Sequence, residues 1–74
     1  MSALPSVSGS QAVAAFERLG WRAARQRGSH IILVKPGHMA SLSVPNHKEL
    51  AKGTLRSLLR AADLSVEDFV LALR

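Results

Sequence analysis

Residues 29–44 constrain this chain most. Ser29 to Lys35 is rich in β-branched and aliphatic side chains, Pro36-Gly37-His38 is turn chemistry, and Met39 to Val44 alternates. In the alternating stretch Ala40, Leu42 and Val44 take one side and Ser41 and Ser43 the other. Upstream, Trp21 to Arg27 has weaker strand character, with Trp21 and Ala23 on one face, Arg22 and Ala24 on the other, and Gly28 breaking the run. Three short strands with tight turns between them predict an antiparallel meander.

Helical spacing flanks this sheet on both sides. Ser8-Gly9-Ser10-Gln11 has the form of a capping box, and Ala12, Val13, Phe16 and Leu19 follow at helical intervals up to Gly20, a suitable left-handed stop. The first helix is therefore expected over Gly9 to Leu19. Pro45-Asn46-His47 ends the sheet, a loop runs through Lys48 to Lys52, and Leu55, Leu58, Leu59 and Ala62 form a second apolar stripe. Ser65-Val66-Glu67-Asp68 resembles another capped start, with Val66, Phe69, Val70 and Leu73 turned inward. The order is helix, three strands, then one long or two short helices, an α+β class with the sheet packed on helices. At 74 residues the chain has room for one domain, 1–74, and one modest core. Residues 1–8, with Pro5 and little periodicity, are expected to be flexible.

Ten Lys and Arg against five Asp and Glu leave a formal charge of +5, which suits a polyanion or an acidic protein partner and also serves solubility. Cysteine is absent, which excludes disulfides, thiolate metal sites and cysteine nucleophiles and fits a reducing cytoplasm. Residues 1–15 lack the basic start and apolar run of a signal peptide. The longest strongly apolar stretch, Ile31-Ile32-Leu33-Val34, is far too short to cross a bilayer, so a cytoplasmic protein is expected, without membrane partners.

Candidate chemistry rests on three histidines, His30, His38 and His47. None has a ligand spacing such as H-E-x-x-H, and the carboxylates Glu17, Glu49, Asp63, Glu67 and Asp68 show no clustered spacing, so no metal site is expected. Gly28, Gly37 and Gly53 are isolated, and Lys52-Gly53-Thr54 lacks the upstream glycine of a P-loop, so neither a cofactor nor a small-molecule ligand is expected. His30 follows Gly28-Ser29 at a strand break, with Arg25, Arg27 and Lys35 close in sequence. Imidazole titrates near neutral pH and is the side chain best suited to move a proton in phosphodiester cleavage, with nearby cations to hold the phosphate. A half-buried histidine that only packs or hydrogen-bonds fits the same spacing.

The other candidates are weaker. His47 after Pro45-Asn46 is either a second acid/base or a turn residue, and His38 in its turn is assigned no role. Trp21 and Met39 are expected to pack in the interior. Arg22, Arg25, Arg27 and Lys35 gather on or beside the first two strands. Arg56 and Arg60, at i and i+4, point to solvent as either phosphate ligands or a solvated helix face.

Leu19-Gly20-Trp21, Arg27-Gly28-Ser29-His30, Val44-Pro45-Asn46-His47, Gly53-Thr54-Leu55-Arg56 and Ala61-Ala62-Asp63-Leu64-Ser65 with Phe69 together resemble the HicA (YcfA-like) family, small toxins of bacterial toxin–antitoxin pairs. The ordered set spans about residues 9–70. The resemblance implies a double-stranded-RNA-binding-domain-like fold, α-β-β-β-α, and endoribonuclease activity on mRNA that inhibits translation and growth. It further implies an essential histidine, here His30, and a HicB-type antitoxin that covers the site. Trp21 stands where the family more often has Phe, and Asp63 where Gly is usual. With His30 as general base on the ribose 2′-hydroxyl or acid for the leaving oxygen, Arg25, Arg27 and Lys35 would hold the phosphate. The Ser29 hydroxyl or a backbone N–H of the Gly28 turn would meet its charged oxygens. This scheme needs no metal but leaves a second proton-transfer group open among His47, water and the substrate. The rivals are a non-catalytic RNA-binding module and a domain whose cationic surface serves only an acidic protein partner.

Overall fold

The computed structural model describes residues 3–74 and is α+β. Its elements run α1 Gly9–Arg18, β1 Arg22–Arg27, β2 His30–Val34, β3 Leu42–Pro45, α2 Lys52–Ala62 and α3 Val66–Ala72. The three strands pair antiparallel in the order β1-β2-β3, which puts β2 in the centre. This is the α-β-β-β-α arrangement expected of a double-stranded-RNA-binding-domain-like fold, with the final helical segment broken in two.

Helix α1 begins as its sequence dictates. The Ser8 hydroxyl accepts from the Gln11 N–H at 3.1 Å while Gln11 Oε1 accepts from the Ser8 N–H at 2.8 Å, a complete capping box. Its apolar stripe buries Ala12, Ala15 and Phe16. Phe16 meets Phe69 of α3 with ring centroids 5.3 Å apart and tilted, a favourable aromatic geometry. Arg18 in the last turn of α1 donates to the carbonyls of Ala72 and Arg74, both at 2.7 Å. A cation thus meets the carbonyl-rich end of α3, where the helix dipole favours it.

The core lies between these helices and one face of the sheet. Leu33, Leu42 and Val44 from the strands meet Phe16, Leu55, Leu58, Leu59 and Phe69 from the helices, and Trp21 closes the α1 end at 3 % exposure. The second apolar stripe is buried as its spacing predicts. Of the third, Phe69 is buried, Ala72 joins it, and Val66, Val70 and Leu73 are half-buried.

One open choice is decided and three expectations are corrected. The last helical segment is two helices, because Asp63 takes the left-handed conformation (φ 59, ψ 42). Its N–H reaches the Arg60 carbonyl at 3.1 Å and the Leu64 N–H reaches Leu59 at 2.9 Å, the hydrogen-bond pattern of a Schellman stop. Strand β3 starts at Leu42 rather than Met39, because β2 ends at Val34 and the last cross-strand pair is Leu33–Leu42. With no ladder to join, Met39 is fully exposed instead of packed, and Ala40 is exposed too. Residues 4–8 are not loose: Val7 is buried, its carbonyl accepts from the Leu50 N–H at 2.8 Å, and Lys52 Nζ binds the Leu4 carbonyl and the Ser6 hydroxyl. These partners lie more than 40 residues away in the chain, so no local pattern reveals them. For Met1 and Ser2 the expectation falls outside the described residues.

Candidate functional site

Gly28 and Ser29 form the two-residue loop that joins β1 to β2. Gly28 has φ 59, while Ser29 has no positive φ, the pattern of a type II′ hairpin turn with glycine first. An added Cβ at Gly28 would meet nothing within 4 Å, so the backbone conformation alone calls for glycine there. The turn is tied down from two sides. Gln26 Nε2 donates to the Gly28 carbonyl at 3.1 Å, and the Asn46 N–H donates to the Ser29 carbonyl at 2.7 Å.

His30 is therefore the first residue of the central strand, paired with Arg27 on β1 and Pro45 on β3. It is exposed, as are Arg25 and Arg27. The side chains of His30, Arg25 and Arg27 make no hydrogen bond or ion pair among the described residues. Cross-strand partners share a face with Cβ atoms about 5 Å apart, and diagonal neighbours lie about 7 Å away. Arg27 is the direct partner of His30 and Arg25, paired with Ile32, its diagonal neighbour.

The faces follow from the register. Ile31 pairs with Val44 and Leu33 with Leu42, and these look into the helices. His30, Ile32 and Val34 look the other way, with Pro45 and Ser43 beside them on β3. On β1 the outward partners are Arg27, Arg25 and Arg22, opposite His30, Ile32 and Val34. Strict alternation would separate Arg22 from Arg25 and Arg27, as read from sequence. A β-bulge between Ala23 and Arg25 inserts Ala24 and brings Arg22 back into phase. One strand thus presents three arginines on the face that carries His30.

Charge is distributed accordingly. Residues 19–48 hold five Lys and Arg and no Asp or Glu, whereas the rest of the chain holds five of each. The whole net charge of +5 therefore belongs to the sheet and its loops. Arg56 and Arg60 are exposed on α2, within the balanced helical part.

Of the residues singled out from sequence, Arg25, Arg27, Gly28, Ser29 and His30 come together at one end of the sheet, and Lys35 does not. Five residues beyond His30, it lies about 16 Å along the strand at roughly 3.3 Å per residue. Its side chain lies against Gly20, where an added Cβ would stand 3.2 Å from Lys35 Cε. His47 is exposed, two residues past Pro45, and its carbonyl accepts from the Gly9 N–H at 2.8 Å. His38 has a neighbour the sequence did not suggest: its ring lies 4.9 Å from the Trp21 ring, tilted by 49°. Trp21 is interior as expected, yet its buried Nε1 has no hydrogen-bond partner. A Phe at that place would carry no such donor. Among the described residues no three His, Cys, Asp or Glu side chains gather to hold a metal ion. No described helix is long and apolar enough to cross a membrane.

Sequence reasoning gathers Arg22 with the basic residues of the first two strands but leaves it out of the site. It misses two things: the alignment of Arg22 with Arg25 and Arg27, and Gly9 as the support of this face. The first depends on a bulge within an Ala-Ala pair, which carries no local signal. At Gly9 a Cβ would collide with the Pro45 carbonyl and come within 2.9 Å of Asn46 Cα, so α1 approaches the end of β3 only because residue 9 has no side chain. Compared with known proteins, the chain matches over residues 9–64 the family model described as HicA toxin of bacterial toxin–antitoxin. No curated protein matches it.

Proposed function

The chain belongs to the HicA toxin family of bacterial toxin–antitoxin systems, and from that membership we propose that it is an endoribonuclease that cleaves mRNA with His30 as its proton-transfer group. The observation that carries this reading is the place of His30: exposed at the start of the central strand, opposite Arg27, on a sheet face free of acidic residues. Imidazole in that position removes the proton of a ribose 2′-hydroxyl. The 2′-oxygen then attacks the adjacent phosphorus, a 2′,3′-cyclic phosphate forms, and the bond to the 5′-oxygen breaks. That leaving oxygen takes a proton from a second donor, a role we assign to His47, two residues past the strand partner of His30.

Negative charge builds on the non-bridging oxygens as the phosphorus becomes five-coordinate. Arg27 directly beside His30 and Arg25 diagonally across offset that charge, and the Ser29 hydroxyl and the turn N–H groups supply further donors. All of these groups belong to the protein, so the reaction proceeds without a metal ion and persists in excess chelator. The same exposed, cationic face suits a HicB-type antitoxin whose acidic or carbonyl-bearing surface covers His30. Activity on mRNA places the protein in the cytoplasm.

The test is induction of the chain in a bacterial host. Wild type is expected to arrest growth and shorten mRNA half-lives, and co-expression of the cognate antitoxin to restore growth. The His30→Ala chain, at equal abundance, is expected to leave growth unchanged. Arrest by His30→Ala at the wild-type rate would overturn the assignment.

A further inference from the structure

Resting on the ribonuclease reading, we propose that the outer face of the sheet is a one-sided binding track for single-stranded RNA, in which Arg27, Arg25 and Arg22 hold successive backbone phosphates leading away from His30. The register puts these arginines opposite His30, Ile32 and Val34, every second residue of β2. Consecutive positions are thus about 7 Å apart and the row about 13 Å long at roughly 3.3 Å per residue. That interval is of the order of one phosphate step in an extended strand. All three arginines are exposed, and no acidic residue occurs anywhere between residues 19 and 48 to neutralise them. Arg22 belongs to the row only through the bulge at Ala24. Bulges re-aim side chains next to active sites, and this one converts two cations and a stray into a line.

The chemistry of the face selects a single strand over a duplex. Cations occupy one edge strand only, while on the far side of β2 the outward residues are Ser43 and Pro45, which carry no charge. A duplex presents two backbones and is gripped across a groove, whereas one row of cations fits one backbone. Between the row and β3, Ile32 and Val34 are half-exposed and are not among the residues packed on the core. They offer an apolar floor for unstacked bases or riboses, without hydrogen-bonding groups that would read sequence. Because His30 stands at one end of the row, bound nucleotides extend to one side of the cleaved bond.

The experiment measures binding of a short 2′-O-methyl oligoribonucleotide, which lacks the attacking hydroxyl, by the full chain across a salt series. For a single strand the slope of log affinity against log salt is about −0.7 per phosphate contact. Arg22→Gln is expected to weaken binding roughly fivefold, the scale of one exposed charged contact, and to flatten the slope by about 0.7. Arg22→Lys is expected to keep the slope, and Arg60→Gln, on α2, to match wild type. In a cleavable series, substrates extended on one side of the scissile bond are expected to gain affinity, and those extended on the other side to gain none. Unchanged binding and slope for Arg22→Gln, equal gain from both extensions, or preference for a duplex would overturn the track while leaving cleavage by His30 standing. Wild type that neither binds nor cleaves RNA would overturn both readings. Loss of antitoxin binding alone on Arg22→Gln would assign the row to a protein partner and overturn the track.

Discussion

At Gly9 the first helix meets the end of the third strand with no room for a methyl group. The clash with the Pro45 carbonyl and Asn46 Cα is with backbone, which cannot swing aside as a side chain can. Gly9→Ala is therefore expected to push α1 away from β3 and cost about 2 kcal/mol, within the range for overpacking. That corresponds to a melting temperature lower by roughly 10 °C for a chain of this size. An unchanged thermal midpoint would contradict the close approach. The local signal at the same place was readable: Ser8 and Gln11 announce the helix start because both halves of the capping box lie within four residues. The requirement at Gly9 was not, since it comes from Pro45, 36 residues away. His30 shows the same division. Its place after a Gly-Ser turn is legible, but the arginine that faces it is fixed only by strand pairing.

Among the elements, the break between α2 and α3 is the one the sequence left open, as one long or two short helices. Asp63 decides it by adopting a left-handed conformation that aspartate tolerates and glycine adopts freely. An acidic side chain at a helix C-terminus also meets the negative end of the dipole. The resemblance to a family with Gly at this place has a physical basis in that conformation. Asp63→Gly is expected to raise stability by about 0.5–1 kcal/mol, read as a higher midpoint in urea with unchanged slope. A lower midpoint would mean that the Asp63 carboxylate makes an interaction stronger than the strain. Strand β1 illustrates the limit of pattern reading. Its alternation is real, but the bulge at Ala24 shifts the phase midway, so Arg22 shares with Arg25 and Arg27 a face that strict alternation would deny it.

The whole molecule separates its tasks by face. Helices cover one side of the sheet and build the core, and that part of the chain is electrically balanced. The other side presents His30 with Arg22, Arg25 and Arg27, and the stretch that forms the sheet and its loops is acid-free, so the core and the proposed site draw on different residues. Substituting His30 should therefore leave the fold intact. The direct test is single-turnover cleavage of RNA by purified wild type and His30→Gln, with binding of the uncleavable 2′-O-methyl oligoribonucleotide measured on the same samples. Loss of the proton-transfer group is expected to slow cleavage by roughly 100-fold or more, with RNA affinity within about twofold of wild type. Cleavage by His30→Gln at the wild-type rate would contradict a catalytic role for this histidine.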